Sequence, residues 1–134
     1  MNGWVIDSSL ALAWTLPDER SPNADKFWKQ VTSGVDLWAP ALWWYEIANA
    51  LVMAKRRKRM SEADATRAAG LFQKLPIKTD ELNSLERCIR LASEHGISVY
   101  DAAYLELAIR LGLGLATLDN KLVAAAKKAG VDTW

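Results

Sequence analysis

Short apolar runs alternate with longer amphipathic stretches along this chain. Trp4-Val5-Ile6 precedes a patterned stretch from Ser8 to Leu16, and Leu37-Trp38-Ala39 precedes one from Leu42 to Lys58. Ile77-Lys78 is followed by Glu81 to His95, and Leu115-Ala116-Thr117-Leu118 by Asn120 to Ala129. Brief continuous apolar runs suit strands buried on both faces; apolar residues three and four apart suit helices. This order predicts an α/β fold around a mostly parallel sheet. Local punctuation agrees. Ser21-Pro22 can cap and open a helix, Ser61 to Asp64 and Ser98 to Asp101 have capping-box spacing, and Gly96, Gly112 and Gly130 follow helical stretches as C-terminal stops. A last short strand is expected at Val131 to Trp134. No repeat, low-complexity segment or linker interrupts the pattern, so residues 1–134 are expected to form one domain.

In such a sheet, ligands bind beyond the carboxyl ends of the strands, and acids stand there repeatedly. Asp7 closes the first run, Asp119 closes the last, Glu46 lies just inside the helix after Pro40, and Asp101 opens the helix that begins Ala102-Ala103-Tyr104. Asp7, Asp119 and Asp101 each suit a helix cap when taken singly. Glu46 does not, because from Ala41 to Ala54 only Glu46 and Asn49 interrupt an almost wholly apolar stretch, and a helix apolar all round is usually buried. None of Glu46, Asp101 and Asp119 has a basic residue three or four places further along its helix. Two carboxylates about 4 Å apart repel by roughly 4 kcal/mol at an effective dielectric near 20, a cost that a divalent cation removes. Oxygen-only ligands favour Mg²⁺ or Mn²⁺ over zinc, and an ion so held can activate water for in-line attack on a phosphodiester.

Composition removes other chemistries. One cysteine, Cys88, excludes an internal disulfide, and one histidine, His95, excludes a zinc site of several His and Cys ligands. A Cys88–His95 nucleophilic pair fails on reach, since seven residues along a helix span roughly 10 Å. Cys88 is expected as a small core residue beside Leu85, Ile89 and Ala92, and His95 in a last helical turn. The opening residues lack signal-peptide features and no apolar run spans a membrane, so a cytosolic location is expected. A formal net charge of +1 means that any nucleic acid must be held by a local patch.

Four segments then acquire a joint meaning: Val5-Ile6-Asp7-Ser8-Ser9, Tyr45-Glu46-Ile47-Ala48-Asn49-Ala50-Leu51, Tyr100-Asp101-Ala102-Ala103-Tyr104-Leu105-Glu106-Leu107-Ala108 and Ala116-Thr117-Leu118-Asp119-Asn120-Lys121-Leu122. In this order they resemble the successive motifs of the PIN-domain family, over essentially the whole chain. The likeness is to the VapC branch, the ribonuclease toxins of bacterial and archaeal toxin-antitoxin pairs. It implies a three-layer α/β/α PIN-like domain and a Mg²⁺- or Mn²⁺-dependent endoribonuclease with RNA as substrate. It makes Asp7, Glu46, Asp101 and Asp119 the acidic quartet, with Asp7 and Asp101 foremost as metal ligands and Ser8 and Thr117 as supporting hydroxyls. It also implies a cognate antitoxin and a homodimer. Some family members carry a further acid where this chain has Asn120 and Lys121.

Lys55-Arg56-Arg57-Lys58-Arg59 is the densest basic run, a solvated helix end or a phosphate contact through Arg56, Arg57 and Arg59. The seven tryptophans read first as core or interface packing, with Trp43 and Trp44 pointing in different directions. Other readings are a catalytically silent PIN-like binding module, against which all four acids argue, and a DNA-cleaving relative. A phosphoacceptor receiver domain would want a second acid beside Asp7.

Overall fold

The computed structural model describes residues 2–82 and 84–134. Met1, in the opening segment, and Asn83, in the stretch expected helical from Glu81, lie outside the described residues. Strands β1 (Gly3–Ile6), β2 (Asp36–Pro40), β3 (Ile77–Asp80) and β4 (Gly114–Ala116) form one sheet in the order β3-β2-β1-β4. Every pairing is parallel, with Val5 opposite Trp38 on one side and Leu115 on the other. Val5, Ile6, Leu37, Ala39, Leu115 and Ala116 are fully buried, as strands covered on both faces require.

The helices are α1 (Ser8–Leu12), α2 (Pro22–Thr32), α3 (Leu42–Arg56), α4 (Glu62–Gln73), α5 (Leu85–His95), α6 (Val99–Leu111) and α7 (Asn120–Lys128). The chain steps from β1 to β2 to β3 in one direction, so right-handed crossovers set α1 to α4 on one face. From β3 it returns past β2 and β1 to β4, which puts α5 and α6 on the other; α7 packs against α6. The strand order therefore reverses between β1 and β4. Their carboxyl ends flank the topological switch point, where a crevice opens because the connections lead away to opposite faces.

The caps fall where expected. Ser21, Ser61 and Ser98 accept from the amides three places on, and Gly96 and Gly112 close α5 and α6 in left-handed conformation, φ 62° and 66°. Several boundaries differ. Helix α1 stops at Leu12 and not Leu16, since Pro17 holds the residue before it extended. Helix α5 starts at Leu85, where the Ser84 hydroxyl caps it. Strand β4 ends at Ala116 because the Thr117 hydroxyl takes the Asp119 amide into a turn. Val131 to Trp134 contributes a single bridge, Thr133 to Leu115, in place of a strand.

Helix α3 departs furthest from expectation. Trp43, Ile47, Leu51 and Ala54 form a buried stripe, but Tyr45, Ala48, Asn49 and Val52 form an exposed face with the same spacing. Nothing in α3 alone says that its second apolar face stays uncovered. The α5 stripe is similar: Cys88 is buried, while Leu85 and Ile89 remain largely exposed. Among the described residues no helix is long and apolar enough to cross a membrane.

Candidate active site

Asp7 follows the last residue of β1 and caps α1, accepting the Leu10 amide at 3.1 Å. The Ser9 hydroxyl donates to the same Oδ1 at 2.7 Å, and the Thr117 hydroxyl donates to Oδ2. Asp7 is 5% exposed, and burial pushes its carboxyl up to about 6 against the two hydroxyls and the Leu10 amide, which pull it down. The charge on Glu46 adds to the rise. A buried carboxylate with three donors and no cation beside it is a poor stability device, since paired burial is what makes such a charge tolerable.

Across the switch point, Asp119 caps α7 and accepts the Lys121 and Leu122 amides on Oδ1. Its own amide donates to the Thr117 hydroxyl at 3.0 Å. Ser9 completes the stitch by accepting the Leu118 amide at 3.0 Å. Thr117 and Ser9 thus lock the end of β1 to the turn after β4, and so fix Asp7 relative to Asp119.

Glu46 and Asp101 come from helices on opposite faces of the sheet, α3 and α6, which meet above the strand ends. Glu46 is half-buried; burial raises its pKa first, and the charge on Asp101 raises it further. Asp101 is raised first by burial and then by the charge on Asp119, against the Ser98 hydroxyl. Asp7 thus feels Glu46, Glu46 feels Asp101 and Asp101 feels Asp119. The fold links the four acids pairwise, each to the next, and among the described residues none of the four takes part in an ion pair.

Cap and site prove compatible, because a cap uses only part of a carboxylate. With about four lone-pair sites per carboxylate, and counting partners among the described residues, Asp7 keeps one on Oδ2 and Asp119 keeps Oδ2 whole. Among the described residues no three His, Cys, Asp or Glu side chains stand close enough to enclose an ion on their own. Mg²⁺ is usually bound by one or two carboxylates with waters and substrate phosphate completing its shell, a number that neighbouring acids of this set could supply. The all-oxygen donor set and the unrelieved repulsion fit such an ion.

Two participants escaped sequence reading. Ser9 holds Asp7, whereas its neighbour Ser8 stands beside Glu46 and Tyr104; consecutive residues at a helix start point about 100° apart, and only the packed structure selects between them. Tyr104 is fully buried and its hydroxyl donates to Glu46 Oε1, so burial and the Glu46 carboxylate together hold its pKa far up. Ser8 lies beside this pair and lowers the pKa of both. Trp43 is buried edge-on against Trp44, whose ring N–H donates to Thr79, while Trp28 stays exposed. The basic run lies apart from the acids. Arg59 is held by Asp18 and Glu19, Lys55 by Glu62, and Arg56 and Arg57 are exposed.

The model of the PIN domain matches residues 4–128 of this chain. The chain belongs to the PIN-domain family. Ribonuclease VapC3 from Pyrobaculum aerophilum is 34% identical over 122 residues, covering 88% of this PIN domain and 90% of its own length. That relative sets the chain in the VapC branch. A crystal structure from the same organism superposes with a TM-score of 0.76 at 28% identity, covering 98% of this chain and 83% of that one. VapC20 from Mycobacterium tuberculosis, a sarcin-ricin-loop-cleaving toxin, has a TM-score of 0.61 at 16% identity and covers 91% of this PIN domain and 94% of its own chain, a likeness of fold alone.

Proposed function

We propose that this PIN-domain protein is a Mg²⁺- or Mn²⁺-dependent endoribonuclease, acting in the cytoplasm as the toxin of a VapBC-type pair. The observation that carries the reading is the convergence of Asp7, Glu46, Asp101 and Asp119 at the switch point, each of the first three disfavoured as an anion by burial and by the next acid in the chain of four. Such a cluster costs stability unless something positive is drawn to it. A bound divalent ion would supply Lewis acidity to a water nucleophile and charge stabilisation to the leaving oxygen of a phosphodiester.

The chain's own residues orient the carboxylates. Ser9 and Thr117 fix the plane of Asp7, the first amides of α7 fix Asp119, and Tyr104 takes Oε1 of Glu46 with Ser8 beside it. Asp7 and Asp101 are the foremost ligands in this scheme, with Ser8 and Thr117 supporting.

Purified protein should cut RNA with Mg²⁺ or Mn²⁺, leave 5′-phosphate and 3′-hydroxyl ends, and open a circular RNA. RNA whose 2′-hydroxyl is blocked at the cut should still be cleaved, because water and not the ribose attacks. Full activity in a chelator, or a need for that 2′-hydroxyl, would overturn the mechanism; equal cleavage of a DNA oligonucleotide would redirect the substrate assignment. The toxin role rests on the VapC relationship. Expression alone should arrest growth and a co-expressed neighbouring partner should relieve it, whereas a harmless active nuclease would remove that role. Exposed Leu85 and Ile89, neighbours on one side of α5, support a homodimer through that helix, to be read by sedimentation.

A further inference from the structure

Two tyrosines stand beside the acids with nothing to hold them. Tyr45 immediately precedes Glu46 on α3, and Tyr100 immediately precedes Asp101 on α6. They are 77% and 68% exposed, more than any other large hydrophobic side chain described. Among the described residues neither hydroxyl makes a hydrogen bond and neither ring meets another aromatic. Every other aromatic near them has found a place: Tyr104 on Glu46, Trp43 in the core and Trp44 on Thr79. Because Tyr104, one turn beyond Asp101 on α6, holds Glu46 of α3, the first turn of α6 and the Glu46 turn of α3 stand together, and each carries one of the tyrosines.

Tyr100 also walls a groove of about 270 Å³ at the carboxyl ends of β2 and β3, with Leu42, Leu82, Val99 and Ala103. Tyr45 lies one helical turn beyond Leu42, on the same side of α3. The groove is mostly apolar and open to solvent; of the carboxylates in its wall, Asp80 and Glu106 are paired with Arg110, and Glu81 is exposed.

A phosphodiester strand drawn to four acids needs attraction from something other than charge. The basic run begins nine residues after Glu46, about 14 Å along the helix axis, and Arg59 within it is already paired. Ring faces supply an attraction that anionic surroundings do not cancel, since every base has a π-face to stack. We propose that Tyr45 and Tyr100 are base-stacking residues that grip unpaired nucleotides on the two sides of the scissile phosphate, with the base on Tyr100 seated in the groove. This inference rests on the ribonuclease reading and names the residues that hold the bases of its substrate. A duplex cannot present its base faces to the two rings without being opened, so the same pair of residues excludes it.

The test uses binding of a short unpaired RNA to full-length protein carrying Asp101→Asn, so that no cutting occurs, beside cleavage by the otherwise wild-type protein. Tyr45→Ala and Tyr100→Ala should each weaken binding by about 5- to 150-fold, the range that one stacked base corresponds to, and Phe at either position should restore it. The salt dependence should keep its slope in the Ala variants, whereas Arg56→Gln with Arg57→Gln should flatten it if those two touch phosphate. With both rings so exposed, melting temperatures should stay unchanged.

Wild-type affinity in both Ala variants, or equal affinity for a perfect duplex, would overturn the stacking role. So would an Ala variant that changes the oligomeric state while binding RNA normally, which would make the tyrosines a protein interface. These failures leave the ribonuclease reading standing if the wild type still cuts RNA with metal. If the wild type cuts no RNA at all, the reading itself falls, and the inference with it.

Discussion

Changing Asp101 to Asn is expected to lower RNA cleavage by more than about 100-fold while raising the melting temperature of the metal-free protein. Loss of a partner one shell away from a metal typically costs 10- to 100-fold, and Asp101 is proposed as a direct ligand. The stability sign comes from its surroundings. A carboxylate in the first turn of a helix is ordinarily favoured by the helix dipole, and the Ser98 hydroxyl favours the anion further. The Asp101 pKa is nevertheless raised, so burial and the charge on Asp119 outweigh both. Asn removes the charge, keeps an acceptor for Ser98 and preserves the amide bond to the Ser98 oxygen. A residue that merely caps would behave oppositely and lose stability on substitution. Thermal melts with and without Mg²⁺ read both halves, since ligand binding raises stability in proportion to the logarithm of saturation. A variant that melts lower without metal and keeps the full Mg²⁺ shift would return Asp101 to the capping role.

The acids were legible because they break local rules. Glu46 is a carboxylate in an apolar helix with no intrahelical cation, and Asp7 and Asp119 close strands where a parallel sheet opens its crevice. Such violations point to a site because nothing short-range compensates them. What stayed hidden depended on helix phase and on distant partners. The choice between Ser8 and Ser9 as the hydroxyl on Asp7 is a matter of one helical step. The Tyr104–Glu46 bond joins residues 58 apart, and the Arg59 clamp to Asp18 joins residues 41 apart. A run of five cations reads as one patch, yet its last member is already committed across the fold. Strands β1, β2 and β4 were readable as apolar runs because both faces are covered, while edge strand β3, Ile77–Asp80, is partly exposed and left only a short signal; the exposed faces of α3 and α5 were not readable, since the residues that leave them uncovered lie elsewhere in the chain.

The steepest response to pH should come from Asp7. Its carboxyl moves from 3.8 in the unfolded chain to about 6 in the folded one, so between those values the native state holds more protons than the unfolded state. Stability therefore falls as pH rises through this window: it is greatest below the unfolded pKa, declines from about pH 4 to about pH 6, and levels off above the folded value. At 1.36 kcal/mol per pKa unit the loss is about 3 kcal/mol, for a group so buried that solvent screens little of it. Glu46 and Asp101 are raised as well and add in the same direction, while Asp18, lowered chiefly by its bond to Arg59, works against them. Asp7→Asn should flatten most of the slope and stabilise the metal-free protein at pH 7. The gain will be smaller than the full figure, because an amide hydrogen then meets a hydroxyl that donated to Asp7. Mg²⁺ should suppress the wild-type slope, since it binds only the ionised carboxylates and restores what their repulsion removes. Urea unfolding of both proteins from pH 4 to pH 8, with and without Mg²⁺, measures this directly. An unchanged slope in Asp7→Asn would mean that Asp7 is already an ordinary acid in the folded protein, and that the strain at the switch point resides in Glu46 and Asp101.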